Sequence, residues 1–420
     1  MPALKLPTPW PADPPPGPFR KPFWDSPLRG PWLTAIFGSL LLIALSVVAL
    51  TGFGSHAAYN PELGRNALFP NDLPLTFDWP SSPAWLYGLN QGLHVNVGLA
   101  AIPLLLAKLW SVIPRLFAWP PVASPAEAIE RVAIALLVSS SVFLFATGVA
   151  NAQYWYPFGF NFVIAHYYAA VIFVAALASH VAVKMPVVVR AYRERGVLKP
   201  LRDDLAHTHA EPVDRDGLVA EVPAPATITR RGVLGLVGGA SALLVVGNAG
   251  QSIGGPLRDL AWFAPRRNGG FPVNKTARLA QIKPEMVNDS YALVLQMGDR
   301  ELRLSRAQLL ELGQRTETLP IACVEGWTSN QTWTGVPLAE LARMAGAGSA
   351  GELQVGSLQP KGVLRQATLN RDQFRNDRSL LALKVNGKDL SMDHGYPARI
   401  IVPALPGVHN TKWVGTLKFV

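Results

Sequence analysis

One thiol is available in the 420 residues: Cys323, in the run Ile321-Ala322-Cys323-Val324-Glu325-Gly326-Trp327. A lone cysteine builds no disulfide framework, which leaves a metal ligand, a nucleophile or a small buried filler. Glu325, two residues on, has the chemistry to supply or accept a proton beside that sulfur. Further along come His394-Gly395-Tyr396-Pro397-Ala398-Arg399 and Gly407-Val408-His409-Asn410-Thr411-Lys412-Trp413. An arginine fork and a lysine ammonium are the side chains that grip phosphate. Upstream, His56, His94, His166 and His180 lie in or beside long apolar runs. Ionisable groups in such runs point to function by default.

The elements that position these residues fall into two halves. Apolar residues make up 49% of the chain and charged ones 16%, a balance that fits a partly membrane-embedded protein. Five stretches are long enough to cross a bilayer: Trp32–Phe53, Gly92–Trp110, Val132–Ala150, Phe162–Val183 and the glycine-rich Val233–Gly250. The formal net charge is +10, but no basic stripe is interleaved with aromatics, and nucleic acid is not an expected partner. Much of the charge flanks the apolar runs instead. Lys5, Arg20, Lys21 and Arg29 precede the first; Arg115 and Arg131 lie between the second and third; a dense group from Lys184 to Arg231 follows the fourth. The intervening loops carry only Arg65. By the positive-inside rule the N-terminus is cytoplasmic and the C-terminal domain lies outside, in the periplasm. The proline-rich start (Pro7, Pro9, Pro11, Pro14) reads as an extended tail. No A-x-A-like site follows the first apolar run, so no cleaved signal peptide is expected. Thr229-Arg230-Arg231-Gly232-Val233-Leu234 is similar to an internal twin-arginine export signal, though two topology-setting arginines would look the same. His207-Thr208-His209, between the fourth and fifth runs, reads as a solvated accident rather than a metal site.

Spacing organises the histidines. His166 and His180 are 14 residues apart, about four helical turns, which puts them on nearly one face roughly 21 Å apart. His94 and Lys108 repeat that interval on a parallel span. This pattern resembles the four-helix cytochrome b families, in which paired histidines clamp haem in each leaflet. The resemblance covers Trp32–Lys184 and implies haem b held by His94 and His166, with both axial sites filled as electron transfer prefers. Lys108 departs from it by occupying a ligand position, so a second, inner haem on His180 is left open. His56 is a further candidate for the outer ligand or a quinone site.

From Tyr291 the texture is that of an α+β domain. Strands are expected at Tyr291–Met297, Glu301–Leu304, Pro320–Val324, Leu353–Ser357, Leu381–Val385, Arg399–Val402 and Lys412–Phe419, with helices at Arg306–Leu312, capped by Ser305, and Leu338–Met344. The ordered blocks C-V-E-G-W, W-T-G-V-P-L, L-A-x-x-V-N-G, H-G-Y-P-A-R and G-V-H-N-T-K-W resemble the sulfite-oxidase superfamily of molybdopterin oxidoreductases. C-V-E-x-W is nearest the protein-methionine-sulfoxide reductase branch. The resemblance spans Tyr291 to Phe419. It implies Cys323 as the molybdenum ligand, His394 and Arg399 on the pterin and its phosphate, and Asn410, Thr411 and Lys412 on the same phosphate. Trp327 and Trp333 would wall the pocket or serve as core aromatics, and Phe271-Pro272-Val273-Asn274 is the nearest upstream pterin contact. The arginine pair that sulfite oxidases place after the cysteine is missing, and Ser357–Asn370, with Lys361 and Arg365, matches neither branch.

The expected architecture is therefore a proline-rich tail (1–31), a four-helix cytochrome b-like membrane domain (32–185), a cytoplasmic linker (186–232), a fifth transmembrane anchor (233–250), a connector (251–290) and an extracytoplasmic α+β molybdopterin-binding domain (291–420). The expected function is a membrane-bound oxidoreductase passing electrons among the quinone pool, haem b and molybdenum, with a small-molecule or protein sulfoxide as substrate. The alternatives are an oxidase of sulfite or a similar small substrate, and a non-catalytic electron-transfer protein. No inverted repeat supports a transporter.

Overall fold

The computed structural model describes residues 11–59, 77–122, 124–214, 217–267, 270–362 and 365–420. Lys5, Pro7, Pro9 and Arg65, which enter the tail and topology readings, lie outside these residues. Five helices are long and apolar enough to cross a membrane: α1 (Pro31–Tyr59), α2 (Leu86–Leu116), α3 (Pro125–Ala152), α4 (Phe162–Arg195) and α5 (Arg230–Ile253). Each overruns its expected apolar run, because hydropathy marks only the greasy middle of a helix whose polar ends continue the same hydrogen-bond ladder. His56 consequently lies inside α1 rather than just past it. α4 extends through Arg193 and Arg195, basic residues that suit a helix C-terminus, and stops at Gly196 (φ 72). The linker expected from residue 186 thus begins as helix.

The chain forms two compact units. The first holds α1 to Ala49, α2 from Asn96, α3 to Asn151, α4, and α5 to Val245. Its packing centres on the fully buried Trp32, whose indole donates to Gly196 at 2.8 Å, with Leu33 and Phe37 beside it. Leu41, Leu45, Ala101 and Phe173 make a second cluster along the helices. Arg230 is buried, donating to the carbonyl of His209 at 2.7 Å, so one of the twin arginines has a place in the folded unit.

The second unit holds the other ends of α1, α2 and α5, residues 152–154, and everything after them. Its strands are β1 (Ala292–Met297), β2 (Arg300–Ser305), β3 (Arg315–Ala322), β4 (Thr328–Pro337), β5 (Glu352–Ser357), β6 (Gln366–Asn370), β7 (Leu380–Val385), β8 (Lys388–Asp389), β9 (Arg399–Ile401) and β10 (Val414–Phe419). They form a sheet of order β2-β1-β10-β5-β6 and a second of order β3-β4-β7-β8, with β9 also on β7. Only β1–β10 in the first sheet pairs parallel among its described neighbours. Helix α6 (Arg306–Glu311) starts at the expected Ser305 cap, which exchanges hydrogen bonds with Gln308, and α7 spans Leu338–Met344 as expected.

β4, β6, β8 and the short helix α8 (Arg371–Arg375) were not among the expected elements. The unplaced stretch before Asn370 contains β6, where only Ala367 and Leu369 are buried, and Asn370 then caps α8. A five-residue strand with two small or aliphatic anchors is too short to stand out by periodicity. The supposed connector is also partly core: Ala277, Ala280, Ile282 and Val287 pack around the fully buried Trp413.

Candidate active site

β3 delivers Cys323. Directly after the strand, the chain turns tightly, with Gly326 N donating to Cys323 O and Cys323 N to Trp327 O, both at 2.9 Å. Gly326 sits at φ 96, and a Cβ there would come within 3.0–3.2 Å of the Val95 side chain. Only glycine meets both demands. The loop is fastened by side chains far away in sequence. Gln91 donates to Val324 O at 2.6 Å, Ser252 to Gly326 O at 2.6 Å, and Arg258 to Thr328 O.

The thiol is buried and borders a cleft lined also by Phe271, Pro272, Asn274, Trp327, His394, Arg399, Gly407 and Lys412. Phe271 stacks on His394 with ring centroids 4.1 Å apart, so the upstream segment singled out from sequence does reach the site. Trp327 walls the cleft, whereas Trp333 is wholly buried core, with Arg399 over its ring at 5.2 Å. Lys361 and Arg365 are not among the lining residues.

The electrostatics of the cleft are one-sided. Arg399 is buried with no carboxylate partner among the described residues and donates to the carbonyls of His394 and Asn410 at 3.0 and 3.1 Å. Burial lowers its pKa to about 9. Lys412 donates to the carbonyls of Lys275 (2.5 Å) and Asp393 (2.9 Å), and burial, with Arg399 nearby, lowers it to about 7. His394 is lowered for the same reasons. Among the described residues, three buried donors here find no hydrogen-bond partner: Arg399 Nε, Asn410 Nδ2 and Thr411 Oγ1. Buried cations and orphaned donors together fit an anionic group that accepts several hydrogen bonds.

Glu325 faces the sulfur. Its Oε2 lies 3.3 Å from Cys323 Sγ and accepts from Trp327 Nε1 at 2.7 Å and from the hydroxyl of Tyr154. Burial first, and the Glu325 carboxylate next, hold the Cys323 thiol well above its ordinary range. A bound metal cation reverses that preference, because it pairs with the thiolate.

Residues 280–420 fit the family model described as "Oxidoreductase molybdopterin binding domain". The C-terminal domain is a molybdopterin-binding oxidoreductase domain. It is of the sulfite-oxidase superfamily type. Nitrate reductase [NADPH] of Beauveria bassiana is 36% identical over 90 residues, 20% of this chain and 10% of that protein. The protein-methionine-sulfoxide reductase catalytic subunit MsrP of Xanthomonas axonopodis pv. citri is 35% identical over 113 residues, 24% of this chain and 35% of that protein. Sulfite oxidase of Arabidopsis thaliana is 26% identical over 113 residues, 23% of this chain and 29% of that protein. The chain thus spans between 10% and 35% of the length of these relatives.

The molybdopterin domain brings Cys323, His394, Arg399 and Lys412 to one cleft, with Glu325 against the sulfur and the Asn410 carbonyl accepting from Arg399; Asn410 and Thr411 themselves are not among its lining residues. Sequence reading missed Tyr154, Gln91, Ser252, Arg258 and Arg266, whose places next to the cysteine loop are set by folding alone. The helix histidines are described each in its own unit. His94, on α2, has Nδ1 3.4 Å from Thr51 Oγ1, and a Cβ on Gly52 would come within 2.9 Å of its ring. His166, on α4, has Nδ1 2.9 Å from Thr147 Oγ1, a hydroxyl that already donates to Phe143 O at 2.8 Å. That favours the Nδ1–H tautomer of His166, in which Nε2 is the lone-pair nitrogen. His180 lies further along α4, and Lys108 Nζ donates to Thr34 O at 2.8 Å.

Proposed function

We propose that this chain is a membrane-bound molybdenum enzyme that reduces a sulfoxide-type substrate with electrons drawn from quinol through haem b. The observation that carries the reading is the buried Cys323 sulfur at a cleft lined by the cations Arg399 and Lys412, with the Glu325 carboxylate oxygen 3.3 Å away. Cys323 would hold the metal; His394, Arg399 and Lys412, backed by Asn410 and Thr411, would hold the pterin and its phosphate. Bound there, this group supplies two-electron oxygen-atom-transfer chemistry.

The chain's own residues do the rest. Reducing a sulfoxide consumes two electrons and two protons and yields a sulfide and water. Glu325 Oε2, beside the sulfur and hydrogen-bonded to Tyr154 and Trp327, is the group placed to pass a proton at that point. Trp327 and Phe271 wall the cleft against water. The likeness to a sulfoxide reductase over 113 residues supports the reducing direction. The missing arginine pair after Cys323 weighs against sulfite, and Arg266 does not replace it, since its guanidinium lies on the Tyr154 ring near Glu325.

The five apolar helices support an inner-membrane location with the N-terminus cytoplasmic, the molybdopterin domain periplasmic, and lipid and the quinone pool as partners. A haem b on His94 and His166 rests on their sequence spacing and on the ring surroundings just described. His180 would serve a second haem, and Lys108, engaged with Thr34, is a poor iron ligand. Export by the twin-arginine motif belongs to the same proposal.

The test is to purify the full chain in detergent, reduce its haem anaerobically with a quinol analogue, and add methionine sulfoxide. Reoxidation of the haem band is expected, and Cys323→Ser should abolish it. A haem that stays reduced removes this substrate; sulfite would then be offered to the oxidised protein.

A further inference from the structure

Glu325 is held against the sulfur by two residues that lie outside the matched stretch, 280–420. Tyr154 comes from the turn after α3, and its hydroxyl donates to Glu325 Oε2. Arg266 lays its guanidinium 3.9 Å from the centroid of the Tyr154 ring, with Nε 3.8 Å from the same carboxylate oxygen. That Nε is buried and makes no hydrogen bond among the described residues, so the guanidinium acts on Glu325 by charge and by its stack on Tyr154. Tyr154 is also at φ 56, in the left-handed region where a helix end ordinarily takes glycine. A tyrosine kept in a strained conformation signals a job for its side chain.

The need is one of aim. Glu325 is only 9% exposed, and its Oε2 lies 3.3 Å from the Cys323 sulfur, with Trp327 Nε1 donating to the same oxygen at 2.7 Å. Trp327 belongs to the cysteine loop itself, so the contacts that tie the carboxylate to the rest of the fold are those of Tyr154 and Arg266. We infer that Tyr154 and Arg266 are positioning residues that fix Glu325 beside the molybdenum ligand. They act through Glu325 and touch neither cofactor nor substrate. The inference rests on Cys323 being that ligand.

A double-mutant cycle on the full, molybdenum-loaded chain tests it, using Tyr154→Phe, Arg266→Lys, Glu325→Gln and the pair Tyr154→Phe/Glu325→Gln. The first readout is the Mo(V) electron paramagnetic resonance signal, poised with a chemical reductant and without substrate. The second is the split of kcat from KM for methionine sulfoxide with a reduced viologen. Molybdenum content should match wild type in Tyr154→Phe and Arg266→Lys. Tyr154→Phe, which removes a hydrogen bond to a charged group, should shift the Mo(V) signal and lower kcat about tenfold; Arg266→Lys, which keeps the charge but loses the planar stack on Tyr154, should shift the signal by less, with KM within about twofold in both. In the Glu325→Gln background, Tyr154→Phe should add less than about a twofold loss and no further spectral change. A wild-type signal in Tyr154→Phe, an equal loss in both backgrounds, or loss of molybdenum from Tyr154→Phe would each overturn the inference. A wild-type chain that holds molybdenum but ignores sulfoxide removes the proposed substrate alone, because the spectral cycle still decides. A wild-type chain without molybdenum removes the ligand reading and this inference together.

Discussion

At the scale of single residues the site is a collection of penalties awaiting a ligand. Lys412 and Arg399 are stripped of water, their pKa values lowered to about 7 and about 9 mainly by burial. The sign follows from proton counting. Between pH about 7 and the ordinary lysine value of 10.5, the unfolded chain binds a proton at Lys412 that the folded, metal-free chain does not. Stability of the metal-free protein should therefore rise with pH through that window, with the full penalty present below it. Scanning fluorimetry from acid to alkaline pH checks this. Lys412→Met should flatten the slope and raise the Tm in mild acid, and the same variant should lose molybdenum during purification. Loading the anionic cofactor should also flatten the slope, since a phosphate beside the ammonium restores its proton. Cys323 is the simplest case: Cys323→Ser keeps the volume and removes the soft ligand, so metal analysis should find less than about a tenth of the wild-type molybdenum.

At the scale of elements, the cysteine loop depends on its neighbours more than on its own sequence. The β3–β4 ladder ends at the Ala322–Thr328 pair, which sets Cys323 one residue beyond it, and the turn between closes around Gly326. Gly326→Ala is expected to cost about 1–3 kcal/mol, since it forces an unfavourable φ and presses on Val95. Thermal unfolding together with molybdenum content measures it. A lowered Tm with full molybdenum would mean that the loop tolerates the strain. The elements themselves were largely legible. Alternation gave β1 and β2, Ser305 marked the start of α6, and the apolar runs gave five helices. β6 and β8 were not legible, because a short strand carries too little pattern to rise above a loop, and the ten-residue β4 was missed because its Ser, Asn, Gln and Thr residues give no clean apolar alternation.

At the scale of the whole molecule, one chain joins five apolar helices to a molybdopterin domain. If the helices span the inner membrane as proposed, protease added outside spheroplasts should release fragments of residues 291–420 and spare an N-terminal tag until the membrane is opened. Digestion of the tag in intact spheroplasts would invert the topology. Replacing His94 or His166 with alanine should remove the reduced-haem band while leaving molybdenum content unchanged. A band that survives both changes would send the iron to other ligands. Arg230 adds a constraint on the export reading. Its guanidinium is buried against His209 and Pro27, so Arg230→Lys should disturb the folded unit as well as any export, and Arg231→Lys separates the two effects.

The sequence by itself determined the chemistry that this protein can attempt. A unique thiol, a phosphate-gripping arginine and lysine, and hydropathy windows are properties of residue types and local order, and they survive without a fold. Even the molybdopterin likeness was readable, because its motifs are contiguous. The tertiary structure alone decided which distant residues share a pocket. Nothing in the spacing from Tyr154 to Arg266 to Glu325 announces that the three meet at one oxygen. Nor does it show that Gln91 and Ser252 fasten the loop, or that Trp333 is core while Trp327 lines the cleft. Such meetings are set by chain closure between segments far apart in sequence, and local pattern carries no record of them.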